Sequence, residues 1–168
     1  ICFVPNGSYA RVVERLRPGA LDGGEIVDLE GRVLGRHDGI VNYTIGQRRG
    51  LGIGGAGEPL YVVAIEPERR RVVVGPHAAL ARDSVRVGEV NWLDETPLGA
   101  TPRAVQVKLR NTQPPVAGEV SALPGGGAEL CLAEPQHGVS PGQAAVFYDG
   151  ERVLGGGWIA SVELRAAA

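Results

Sequence analysis

Apolar and polar positions change period along this chain of 168 residues. In Ser8-Tyr9-Ala10-Arg11-Val12-Val13-Glu14-Arg15-Leu16 the apolar residues Tyr9, Val12, Val13 and Leu16 recur three and four apart. That spacing predicts a short helix with Ser8 as N-cap and Pro18-Gly19 as stop. The period then falls to two. Gly24 to Leu29 and Arg32 to Gly35 flank Glu30-Gly31, and Leu60 to Ile65 and Arg71 to Gly75 flank Pro67 to Arg70, so each pair predicts two strands and a turn. Beyond residue 80 strand patterns dominate: Ser84 to Trp92, Arg103 to Arg110, Ala117 to Leu123, Ala128 to Ala133, Ala144 to Tyr148 and Val153 to Val162, the last after an Asp149-Gly150 turn. Strands at this spacing, with Gly and Pro between them and no intervening helices, predict a closed or nearly closed antiparallel barrel. The expected fold is mainly β: a small mixed α/β domain over residues 1–80, with a short helix and β-hairpins, then a β-barrel over residues 81–168.

Composition narrows the class. With 43% apolar residues the chain can build a core. No apolar run approaches the roughly 20 residues of a spanning helix, and no signal-peptide pattern opens the sequence. A membrane is not an expected partner. Two cysteines without a CxxC or Cys/His cluster make neither a disulfide framework nor a metal site, which favours a reducing cytoplasm. The net charge of −2 excludes a strongly basic surface overall, yet every basic residue but Lys108 is Arg, which pairs well with phosphate. A genome rich in G and C is the simpler cause of that bias, and nucleic-acid contact stays open beside it. A chain that starts with Ile and contains no Met reads as a segment of a longer protein.

Four features carry candidate chemistry. Cys2 stands in Ile1-Cys2-Phe3-Val4-Pro5, where a thiol among apolar residues is either packed or reactive. The run from His37 to Gly55 is rich in glycine and presents Gln47, Arg48 and Arg49, suited to a nucleic-acid backbone, to another domain or to nothing beyond a solvated turn. It lacks the GxxxxGK[ST] order of a nucleotide loop. Cys131, inside an alternating strand, is expected in the core or packed on a face, and His37, His77 and His137 have no ligand spacing. His37 reads as a loop organiser, and Trp92 and Trp158 as barrel packing unless one is exposed and stacks on a base.

The phrases Ile1-Cys2-Phe3, His37-Asp38-Gly39, Thr44-Ile45-Gly46-Gln47-Arg48-Arg49-Gly50-Leu51-Gly52-Ile53, Pro141-Gly142-Gln143 to Tyr148 and Leu154-Gly155-Gly156-Gly157 occur in that order. Together they resemble the tRNA-specific 2-thiouridylases, which replace the C2 oxygen of the wobble uridine, position 34, with sulfur. The resemblance covers nearly the whole chain and implies a central linking domain followed by a barrel like that of translation factors. It also implies a preceding ATP-pyrophosphatase domain, which would hold ATP with Mg and an upstream cysteine; this chain would bind no cofactor and be inactive alone. On the resemblance Cys2 is the catalytic cysteine that carries a persulfide and forms a disulfide with the upstream cysteine. Lys108, Arg110 and Asn111 match a tRNA-contacting strand, with Asn111 where an aromatic residue is common, and Gln143 matches a further tRNA contact. The implied partners are the tRNA anticodon loop, a sulfur-donor protein and the missing domain. Two other readings remain open: a stand-alone RNA-binding or adaptor barrel with a structural cysteine, and a persulfide carrier that never touches tRNA.

Overall fold

The computed structural model describes residues 9–16, 19, 21–54 and 57–162; Cys2 and the Ser8 cap lie outside them. The chain divides into two compact units, Ile1–Leu80 and Ala81–Ala168. In the first, helix α1 (Tyr9–Leu16) precedes a sheet of β1 (Gly24–Val27), β2 (Val33–His37), β3 (Tyr61–Glu66) and β4 (Arg71–Gly75) in the order β2-β1-β4-β3. Both expected hairpins form. Asp28 shapes the first turn: its Oδ1 accepts from the Glu30 and Arg32 amides at 3.0 and 2.8 Å, and its Oδ2 from Arg32 Nε at 2.6 Å.

The two hairpins join through a parallel β1–β4 pair, Glu25 to Arg71 through Val27 to Val73, which local pattern does not reveal. This join explains why Val72-Val73-Val74 shows no alternation. Val72 and Val74 bury against Ile26, Leu51 and Val62, while Val73 buries against Val27, Val63 and Leu80 on the other face. A strand covered on both sides reads as a continuous apolar run. His37 is buried; its Nδ1 accepts from the Gly39 amide at 3.0 Å and its Nε2 lies 3.1 Å from the Arg70 carbonyl. Its role is therefore to organise the loop, as its sequence context suggested.

The second unit is a closed six-stranded antiparallel barrel of β5 (Ala81–Trp92), β6 (Arg103–Lys108), β7 (Val116–Ala122), β8 (Ala128–His137), β9 (Ala144–Asp149) and β10 (Arg152–Val162), in the order β10-β5-β8-β7-β6-β9. Its inward side chains include Val85, Val87, Val105, Val107, Val120, Leu130, Leu132, Phe147, Leu154 and Ile159. β8 runs beyond the predicted Ala133 because its Pro135 falls in an irregular stretch: Cys131 pairs with Ser84 but Gln136 with Arg82. A proline without an N–H is accommodated where the ladder is interrupted.

Cys131 is a correction. It is exposed, because Leu130 and Leu132 take the inward positions and the period of two sends Cys131 out beside Glu119 of β7. Partial desolvation first, then the charges of Glu129, Glu119 and Asp83, push its thiol pKa up, which disfavours the reactive thiolate. The tryptophans divide: Trp92 packs against the core and Trp158 is exposed.

Candidate nucleic-acid interface

Register brings the end of β6 and the start of β9 to one rim of the barrel, since Lys108 pairs with Val146. Val107 and Leu109 are buried, so alternation turns Lys108 and Arg110 outward. The chain then turns, with the Gln113 amide donating to the Arg110 carbonyl at 3.4 Å, and Asn111 stands exposed in that turn. Arg110 Nη2 donates to the carbonyl of His137 at the end of β8. Gly138, at φ 69°, makes room for it: a Cβ there would collide with Arg110 Nη2. Arg110 is thus held half-buried over the rim, with its remaining N–H groups available.

Gln143 reaches the same rim by a different route. Ser140-Pro141-Gly142-Gln143 is a tight turn with the Gln143 amide 3.3 Å from the Ser140 carbonyl and Gly142 at φ 82°. Pro then Gly at its centre is the pairing a type II turn requires. Ile159 N–H donates to the Gln143 carbonyl at 2.7 Å and Gly142 N–H to the Ile159 carbonyl at 2.8 Å, so the backbone is fixed while the side chain is exposed. Among the described residues, the side chains of Lys108, Asn111 and Gln143 have no hydrogen-bond partner.

Gln47, Arg48 and Arg49 belong to the first unit. The Gln47 amide is engaged at both ends: Oε1 accepts from Thr44 N–H at 3.0 Å and Nε2 donates to the Arg49 carbonyl at 3.0 Å. The backbone here exchanges bonds with β3: Val62 N–H donates to the Gln47 carbonyl at 2.9 Å, and Gly46 N–H donates to the Val62 carbonyl at 2.8 Å. Gln47 therefore builds the loop, leaving Arg48 and Arg49 exposed on it. Arg48 lines an open cleft of about 520 Å³ with Gly50, Gly52, Ile53 and Glu58.

A second cleft of similar size, lined by Arg36, Arg69, Arg70, Arg71 and Glu25, was not anticipated, although Arg69-Arg70-Arg71 stands plainly in the sequence. Three of its guanidinium groups pair with carboxylates: Arg71 with Glu25 at 3.1 Å, Arg70 with Asp22 at 3.0 Å and Arg69 with Glu66 at 3.7 Å. Among the described residues no group of three or more His, Cys, Asp or Glu side chains is placed to hold a metal ion, and no helix is long and apolar enough to cross a membrane.

Two family models match, a tRNA methyl transferase PRC-barrel domain over residues 13–76 and an aminomethyltransferase beta-barrel domain over residues 82–159. A tRNA-specific 2-thiouridylase MnmA of Rhodospirillum centenum is 63% identical over 174 residues, covering 99% of this chain and 44% of that protein. The protein of the same name from Paracoccus denitrificans is 60% identical over 161 residues, covering 95% of this chain and 41% of its own length. The chain thus spans less than half the length of these curated relatives.

Proposed function

The chain belongs to the tRNA-specific 2-thiouridylase family, and from that premise we propose that it is the RNA-holding, sulfur-bearing part of a cytoplasmic tRNA sulfurtransferase. What supports the reading is likeness that covers 99% of the chain and so extends through both units, together with the open polar rim formed by Lys108, Arg110, Asn111 and Gln143. The remaining length of the parent protein supplies the ATP-pyrophosphatase domain, with ATP and Mg, and the upstream cysteine.

The chemistry follows from the weakness of the uridine C2 carbonyl as an electrophile. Adenylation of its oxygen in the preceding domain turns that oxygen into a leaving group and releases pyrophosphate. Cys2, loaded by a sulfur-donor protein, carries the persulfide, whose terminal sulfur attacks C2 and expels AMP. The upstream thiolate then attacks Cys2 Sγ, breaks the sulfur–sulfur bond and leaves sulfur on the base. The two cysteines end as a disulfide, which an external thiol must reduce before the next turnover. Because the target uridine stacks in the anticodon loop, it has to be turned out of the stack, and firm hold on the flanking RNA offsets that cost. The barrel rim provides this hold, with Arg48 and Arg49 as further cationic contacts.

The test is Cys2→Ser in the full-length protein, with nucleosides from a complemented strain read by mass spectrometry. The expected result is loss of 2-thiouridine with tRNA affinity retained. Normal thiolation would remove Cys2 from the reaction.

A further inference from the structure

The two tryptophans of this barrel make opposite use of the same side chain. Trp92 is held: its Nε1 donates to the Thr96 carbonyl at 2.9 Å, its ring lies 6.1 Å from that of Phe147, and the Arg103 guanidinium sits 5.5 Å from its centroid. Trp158 is 55% exposed, and among the described residues its ring and its N–H have no partner. A large aromatic left open on a rigid strand is a feature that calls for a ligand.

The backbone around Trp158 is built to present it. Between Val153 and Gly155, β10 carries one residue more than β9, which shifts the phase of the strand so that Gly155, Gly157 and Ile159 face inward and Trp158 outward. On the other side Gly156 pairs with Asn91 but Trp158 with Gly88, so Glu89 and Val90 of β5 oppose Gly157 alone, with Glu89 at φ 50°. A Cβ on Gly157 would collide with the Gly88 carbonyl, so only glycine permits this approach. The direct cross-strand neighbours of Trp158 are Ala144 and Gly88, neither large enough to cover an indole. The ring therefore stands on a bare shelf.

That shelf adjoins the rim already described. Gln143 immediately precedes Ala144. Lys108, Val146 and Gly156 form the next cross-strand row, within reach of a long side chain. On the other side Arg86, two residues along β5 from Gly88, stands opposite Glu129 of β8, and Glu89 is exposed nearby. An open π-face beside cations is the arrangement that binds a single-stranded nucleic acid, stacking a base while the neighbouring phosphates pair with Lys108 and Arg110.

We propose that Trp158 is a stacking platform for an unpaired RNA base at the Lys108–Gln143 rim. The inference rests on the RNA-holding reading above and extends it to a site on the β10 face. Removing the ring costs stacking but no charge, so its signature differs from that of a phosphate contact. In the full-length protein, Trp158→Ala is expected to weaken binding of a tRNA transcript by about 5- to 100-fold, the range that stacking of one base supports, with the slope of log affinity against log salt unchanged. Trp158→Phe should restore most of the affinity while abolishing the fluorescence quenching that RNA causes in the parent protein. The thermal midpoint of Trp158→Ala should not fall, since the ring covers no core.

Unaltered affinity and unaltered quenching in these variants would overturn the platform while leaving the RNA reading standing. A flattened salt slope in Trp158→Ala would overturn it too, by showing that the loss is ionic. Absence of tRNA binding by the parent protein would instead defeat the reading on which the platform rests.

Discussion

The two rims of the barrel use their polar side chains in contrary ways. At one, where β5 ends and β6 begins, Asp94 is almost fully covered and accepts from Arg103 at 2.6 Å and from Arg152 at 2.8 Å, while Arg103 lies over Trp92. Charge and aromatic face are satisfied within the fold. At the other, Lys108, Asn111 and Gln143 point outward unpartnered, Arg110 is braced by the His137 carbonyl, and Trp158 stands uncovered. Ion pairs that close on themselves stabilise a barrel end, whereas donors left open and held by rigid turns are available to something else.

The largest effect should come from Gly138→Val. It places a side chain where Arg110 Nη2 lies and forces a β-branched residue to φ 69°. Strain of this kind costs about 1–3 kcal/mol. Thermal denaturation should show the loss of stability, and a binding titration should show at least a tenfold fall in tRNA affinity as Arg110 is displaced. Retained affinity would mean that the brace on Arg110 is irrelevant to RNA.

Arg110→Ala comes next. Affinity should fall about tenfold across tRNA sequences, and the salt slope should flatten by about one contact, as loss of a phosphate partner predicts. Rupture of the bond to His137 should also lower stability by about 1 kcal/mol.

At the closed rim Asp94→Asn should do the reverse, lowering the melting temperature by a few degrees with tRNA affinity unchanged. The hydrogen bond from Arg103, then the charges of Arg103 and Arg152, hold the Asp94 pKa below the usual carboxylate value. Its contribution is therefore complete above the unfolded pKa of about 3.9 and is lost as pH falls through the lower folded value. Melting temperature measured from pH 6 down to pH 2 should show an acid-sensitive component that the Asn variant lacks.

The smallest effect belongs to Cys131→Ser. Thiolation and affinity should be unchanged, and because its surroundings raise the thiol pKa, Cys131 should alkylate more slowly with iodoacetamide at pH 8 than a free cysteine does.

These contrasts were legible in the sequence to different degrees. The strand set of the barrel follows from alternation at regular spacing, and the turns at Glu30-Gly31 and Asp149-Gly150 follow from the φ freedom of glycine. The partner order does not: β5 lies beside β8 and β10, and β1 beside β4, because long-range pairing depends on which faces can be covered together. The outward phase of Cys131 is readable from Leu130 and Leu132, which take the inward positions on either side of it. That of Trp158 was hidden, since Leu154 and Ile159 are five apart and both face inward only because β10 is bulged between Val153 and Gly155. The polar rim was marked residue by residue through family phrases. What sequence alone could not separate was Gln143, whose side chain is open, from Gln47, whose amide is engaged inside its own loop.

The central claim is that one rim meets RNA and the other does not. Lys108→Ala and Arg152→Ala test it most directly, because each removes a single positive charge from one rim. The measurement is the slope of log affinity against log salt for a tRNA transcript binding to the full-length protein. The account predicts that Lys108→Ala weakens binding and reduces the slope by about 0.7–0.9, one phosphate contact, while Arg152→Ala leaves both as they are. Equal flattening in the two variants, or flattening in Arg152→Ala alone, would contradict it.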